Sequence, residues 1–155
     1  MSIEDDIAFL ERVPTLAVLG RSALRILAIG ADNRYVHTGE VLFSVGDAAD
    51  AAFVVQQGSF GLKARGSDQE EASVAGPGAL LGEFALLTET TRTATATARE
   101  PSNLLRIPRG LFLKMLEGFP DAAFQLRNHM AARAERTARE MAAVRPLLTR
   151  EPGEG

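Results

Sequence analysis

The chain has 155 residues, a size that suits one domain, with 46% hydrophobic residues to build a core and a formal net charge of −3. That acidic balance argues against nucleic acid as the main partner. The absence of cysteine removes disulfide, iron–sulfur and thiolate chemistry and suits a reducing cytoplasm.

The start, MSIEDDIAFLERV, is acidic where a signal peptide is basic. No apolar run reaches the roughly 18 residues that a membrane span needs, and no fixed-period repeat is visible. Ile3, Ile7, Leu10 and Val13 recur at helical spacing, which predicts a helix over 3–13 that Pro14 ends. Ser22 is placed to cap a second helix over 23–29, with Leu24, Leu27 and Ala28 inward and Gly30 as its stop.

From Asn33 the pattern changes. Extended runs are expected over 35–37, 41–45, 52–56, 59–65 and 70–75. Turns at Thr38-Gly39-Glu40, Gly46-Asp47, Gln57-Gly58 and 66–69 separate them. Short strands broken by turns at intervals of about ten residues indicate an antiparallel sandwich or barrel. A last strand over 103–107 is closed by Pro108. Leu111 to Leu116 is helical, and Gly118-Phe119-Pro120 interrupts it. Asp121 is placed to cap a long helix to about Val144, with Pro146 as the stop. Its apolar stripe is Leu126, Met130, Ala134, Ala138 and Met141, while Arg127, Arg133, Arg136 and Arg139 read as a solvated face. Residues from Thr149 on read as frayed.

The stretch 76–98, GPGALLGEFALLTETTRTATATA, carries the chemistry. Gly76-Pro77-Gly78 breaks the preceding strand. Gly82 lacks a Cβ, so a ligand can approach its backbone. The residues EFALL favour a short helix, whose start leaves N–H groups for an anion. Arg92 then heads an alternating run, RTATATA, that reads as a strand with threonines on one face and alanines on the other. Arg92 can return to the mouth of the short helix and offer its planar fork of donors to a phosphate. Glu83 makes sense there if it accepts from a sugar hydroxyl and balances Arg92.

Gly82-Glu83-Phe84-Ala85-Leu86-Leu87, four intervening residues, then Arg92-Thr93-Ala94-Thr95 resembles the phosphate-binding cassette of cyclic nucleotide-binding domains. That family includes catabolite activator proteins and protein kinase A regulatory subunits. The resemblance extends over about residues 5–145 and implies an antiparallel β jelly roll over 33–108. N-terminal helices would occupy 1–32, hinge and lid helices 109–145, and a disordered tail 146–155, in a single domain over 1–150. It implies that Gly82 and the amides of Phe84 and Ala85 hold the cyclic phosphate. Glu83 would take the ribose 2′-hydroxyl and Arg92 the phosphate, with Leu81, Thr93 and Ala94 completing the site. Met130 and Ala134 would be lid contacts over the purine. The family usually has Phe where this chain has Leu81 and Pro where it has Thr91. Neither change removes a ligand group, but the missing proline leaves the loop less ordered beforehand.

The ligand implied is cAMP or cGMP. Thr93 carries a hydroxyl that can reach a guanine amino group, and threonine here is frequent in cGMP-responsive members but not exclusive to them, so the reading leans only slightly to cAMP. No cofactor or metal is expected, since His37 and His129 lie far apart without a ligand set. No nucleophile or base is poised against an electrophile, so the chain reads as a non-enzyme. A cupin-type enzyme would need histidines and carboxylates clustered in the barrel. Only ten residues follow Arg145, too few for a DNA-binding domain. From Met1 and the frayed end the expectation is a complete short chain or a designed one, with a domain cut from a longer protein kept open. The alternative function is a nucleotide-free module that uses the C-terminal helix to bind a partner protein or a second copy.

Overall fold

The computed structural model describes residues 2–64, 66 and 73–149. Three helices lead: α1 (Ile3–Leu10), α2 (Pro14–Ala17) and α3 (Arg21–Gly30). Ser2 caps α1 by accepting from the Asp5 N–H, and Asp5 answers at the Ser2 N–H. Pro14 opens α2 instead of only ending α1: its fixed φ suits a first helical position, where no N–H is needed. Helix α3 starts before the expected Ser22, because Gly20, at φ 89°, makes the turn that Ser22 was expected to cap.

Among the described residues ten strands follow: β1 (Asp32–Val36), β2 (Val41–Phe43), β3 (Ala48–Ala49), β4 (Ala51–Gln57), β5 (Phe60–Ala64), β6 (Ser73–Ala75), β7 (Leu80–Leu81), β8 (Thr90–Thr91), β9 (Ala94–Ala98) and β10 (Ser102–Pro108). A 3₁₀ turn, Glu83–Leu86, lies between β7 and β8. The chain closes with α4 (Arg109–Gly118) and α5 (Pro120–Thr149). One sheet runs β1-β10-β4-β7 and a second runs β2-β9-β5-β6, with β3 and β8 forming a small pair. Every pairing is antiparallel. The architecture is a jelly roll with flanking helices.

Strand β4 is buried on both faces, which is why its sequence reads as an unbroken apolar run. Ala52 and Val54 face the helical layer with Leu105 and Ile107 of β10. Phe53 and Val55 face the second sheet with Phe60, Leu81, Ala96 and Leu104. The alanines of β9 point into this inter-sheet core, because Ala96 and Ala98 let the sheets approach closely. The helical core joins Ile7, Leu10, Leu16, Leu24 and Leu27 to Phe112 and Met115 of α4 and Leu126 of α5.

Pro120, not Asp121 as a cap, begins α5, and the helix continues past Pro146 to Thr149. A proline removes one donor and bends a helix, and that need not end one so long. Residues 146–149 of the expected tail are therefore helical, and residues 150–155 lie outside the described residues. So do half of the run expected over 70–75, where Ser73–Ala75 is described as strand, and the side chain of Met141. The three two-residue strands β3, β7 and β8 escape period counting because they are too short to show one.

Burial separates two phenylalanines. Phe60 is fully buried, and Phe84 is 62% exposed. Phe60→Ala is expected to lower unfolding stability by about 3–5 kcal/mol, and Phe84→Ala by less than about 0.5 kcal/mol. Urea denaturation of both variants checks this; equal losses would contradict the packing described.

Candidate functional site

Strand β7 ends at Leu81, paired with Phe53. Gly82 then takes a left-handed conformation, φ 75° and ψ 41°. An L side chain is disfavoured there, so the bare glycine lets the chain turn sharply away from the sheet. In the 3₁₀ turn that follows, the Ala85 N–H donates to the Gly82 carbonyl at 3.0 Å. The amides of Glu83 and Phe84 precede that first bond and have no acceptor inside the turn. Ala85, one of the expected amide donors, lines the cavity, and its N–H closes the turn. The donors free for an anion sit one residue earlier.

Arg92 is held at its backbone by the β2–β3 connection. Its N–H donates to the Asp47 carbonyl and its carbonyl accepts from the Gly46 N–H, each at 2.8 Å. The side chain turns inward and is buried, only 7% exposed. Nη2 donates to the Ala51 carbonyl at 2.8 Å. That carbonyl lies beyond the end of β7, so no strand neighbour claims it on that side. The guanidinium carbon sits 4.4 Å from the Phe43 ring centre and 5.5 Å from that of Phe53. Nη1 is buried and has no hydrogen-bond partner. A Cβ on Gly82 would lie 2.3 Å from Nη1, so the glycine leaves the room the guanidinium fills. Burial pushes the Arg92 pKa down, while Asp50 and Asp47 oppose that shift and Arg106 adds to it. An arginine stays charged through such a change.

Arg92 lines a cavity of about 190 Å³ walled also by Phe43, Leu62, Leu81, Gly82, Phe84, Thr93 and Ala94. A wider cleft of about 680 Å³ shares Gly82, Phe84 and Thr93 and reaches Thr15, His129, Arg133 and Arg136. The expected residues Leu81, Gly82, Glu83, Phe84, Ala85, Arg92, Thr93 and Ala94 thus meet around these two spaces. Met130 and Ala134 of α5 line a third groove opposite Glu83 and Phe84.

Glu83 does not balance Arg92. Its Oε2 accepts from Arg133 Nη1 at 2.9 Å and from the Thr15 hydroxyl at 3.2 Å. The cause is the path of α5, which carries Arg133 back over the cassette, so Arg133 is not part of a merely solvated face. Its place three residues after Met130, on the same helical face, was the available signal. Thr15 gave none. Arg109, at the start of α4, was also missed. Its Nη1 lies 3.0, 3.2 and 3.0 Å from the carbonyls of Ala49, Ala85 and Thr88. His129 Nε2 is buried without a partner on the cleft wall, and His37 is exposed beside Glu40.

A family model described as cyclic nucleotide-binding domain matches residues 33–119, more than half of the chain. The chain belongs to that family. The N-terminal domain of a transcriptional regulator from Streptomyces coelicolor A3(2) is similar at a TM-score of 0.78 and 30% identity, over 86% of this chain and 94% of that one. A cyclic nucleotide-binding-like protein from Brucella abortus is similar at a TM-score of 0.66 and 36% identity, over 73% of this chain and 98% of that one. Lysophospholipase nte1 of Neurospora crassa is 32% identical over 103 residues, which are 63% of this chain and 7% of that protein. The chain therefore corresponds to a small part of that much longer relative. Among the described residues, no helix is long and apolar enough to cross a membrane.

The crowding at Gly82 is directly testable. Gly82→Ala places a side chain at φ 75° and drives it into the Arg92 guanidinium. The positive φ alone costs about 1–2 kcal/mol of stability, measurable by urea denaturation. An alanine variant as stable as the parent would contradict this geometry.

Proposed function

We propose that this domain is a cyclic nucleotide sensor that binds cAMP or cGMP without transforming it and signals through α5. One observation carries the reading: a buried guanidinium whose Nη1 lacks a partner packs behind a left-handed glycine, and both residues line one cavity with Phe84 and Ala85. A singly charged phosphodiester would supply the missing acceptor there. Its oxygens would meet Nη1 and the amides at Glu83 and Phe84, and the ribose 2′-hydroxyl would donate to the Glu83 carboxylate. The purine would extend toward Met130 and Ala134. No group here is placed to activate a nucleophile, which favours binding over catalysis.

Signalling has a physical basis in the Arg133–Glu83 pair. A ligand that engages Glu83 changes the surroundings of a cation on α5. It shifts the position of α5 only if it prefers one position over the other. The receiver would be a partner protein or a second copy meeting α5. The regulator and lysophospholipase relatives fit a sensor whose output lies in other domains. A cytoplasmic location suits such a ligand and the cysteine-free composition.

A second reading keeps the fold without the nucleotide and uses α5 as a docking helix. It is favoured by residues 131–136 of α5, all exposed, and by Thr91 in place of a loop-stiffening proline.

Calorimetric titration with cAMP and with cGMP separates the two. The sensor reading expects binding of at least one, and Arg92→Ala is expected to weaken it by about 2–5 kcal/mol. A thermal-shift screen gives a second check, since ligand at a hundredfold its Kd adds about 2.7 kcal/mol of stability. No response to either nucleotide at millimolar concentration would favour the docking module.

A further inference from the structure

We infer that Thr15 is a positioning residue for the ribose-binding carboxylate, which makes the N-terminal helical layer part of the nucleotide site. The inference rests on the sensor reading above. Thr15 is almost fully buried, at 9% exposure, although its side chain is polar. Its hydroxyl donates to Glu83 Oε2 at 3.2 Å and accepts from Arg133 Nη1 at 3.2 Å. Arg133 Nη1 donates to the same Oε2 at 2.9 Å. The three groups form a closed triangle across α2, the cassette and α5.

The chemistry of the triangle requires a hydroxyl. A group between a carboxylate and a guanidinium must donate to one and accept from the other, and a threonine hydroxyl does both. Its β-branched side chain has few rotamers, so the hydroxyl is held in place. The backbone beneath it is held too, by Pro14 at the first helical position and by the fully buried Leu16.

Glu83 has no such support of its own. It follows a left-handed glycine at the start of a four-residue turn, and its side chain has three free torsions. Fastening Oε2 aims the other oxygen. Among the described residues no hydrogen bond reaches Oε1, so it remains open to a hydroxyl on the ligand. Arg133 cannot do this alone. It is long and half-exposed, and it leaves with α5 whenever α5 moves. Thr15 sits on a helix packed into the core and stays. The two partners of Oε2 therefore divide the work: Thr15 aims the carboxylate, and Arg133 reports on it.

The test is calorimetry on the full chain with cAMP, cGMP and their 2′-deoxy analogues, for the parent, Thr15→Val and Thr15→Ser. The parent is expected to prefer the ribo form by about tenfold or more, the scale of one hydrogen bond to a charged group. Thr15→Val keeps the shape and removes the hydroxyl. Its preference should fall to within about twofold, through lost ribo affinity with deoxy affinity unchanged. Thr15→Ser should keep the preference. An unchanged preference in Thr15→Val would overturn the role of Thr15 and leave the sensor reading standing. So would an equal loss for both sugars, which marks a merely structural residue. A parent that binds none of the four nucleotides would overturn both.

Discussion

The structure depends on one half-satisfied cation. Arg92 lies buried between two sheets with one amino group bound to the Ala51 carbonyl and the other bound to nothing. Leaving a buried donor without a partner costs about 1–3 kcal/mol, and more when it carries charge. The Phe43 ring and the carboxylates of Asp47 and Asp50 offset part of that cost. An acceptor placed beside Nη1 would relieve the remainder. The surroundings make room for the guanidinium: Gly82 carries no Cβ, and β7 ends at Leu81, before it could claim the Ala51 carbonyl.

The junction of β3 and β4 connects the site to the C-terminal helices. Three successive carbonyls, those of Ala49, Asp50 and Ala51, are taken by the Arg109 side chain, the Arg109 N–H and the Arg92 side chain. Arg109 also reaches the carbonyls of Ala85 and Thr88, at the far side of the cassette. The first residue of α4 and Arg92 thus grip successive carbonyls at the β3–β4 junction. A shift of the cassette large enough to break these bonds would leave several buried carbonyls without donors, so the cassette and α4 are strongly constrained to move together.

Much of this was legible because the chemistry is local in sequence. The glycine, the glutamate and the arginine lie within eleven positions, 82–92, and the alternation that follows fixes which way β9 faces. The helical layer was legible from spacing, as with Ile7, Leu10, Leu24 and Leu27. What could not be read was pairing across distance. Thr15 and Arg133 lie 68 and 50 residues from Glu83, and no periodicity links them. Helix starts were misjudged where backbone geometry outranked side-chain caps, as at Gly20 and Pro14.

Charge balance gives the direction in which site and helix should be coupled. A carboxylate beside a bound phosphodiester repels it unless a cation stands with the carboxylate. The sequence suggested that Arg92 would be that cation, but Arg92 is directed to the cavity, and the cation is Arg133 on α5. On the sensor reading, an anion entering the cavity is therefore best tolerated while α5 lies against the cassette. When α5 withdraws, Glu83 loses its counter-charge and the anion faces bare negative charge across a short distance. Occupancy and a docked α5 then favour each other, and linkage makes the preference reciprocal: whatever holds α5 against the cassette also tightens ligand binding. A partner that captures α5 only when it is released would weaken binding by the same factor.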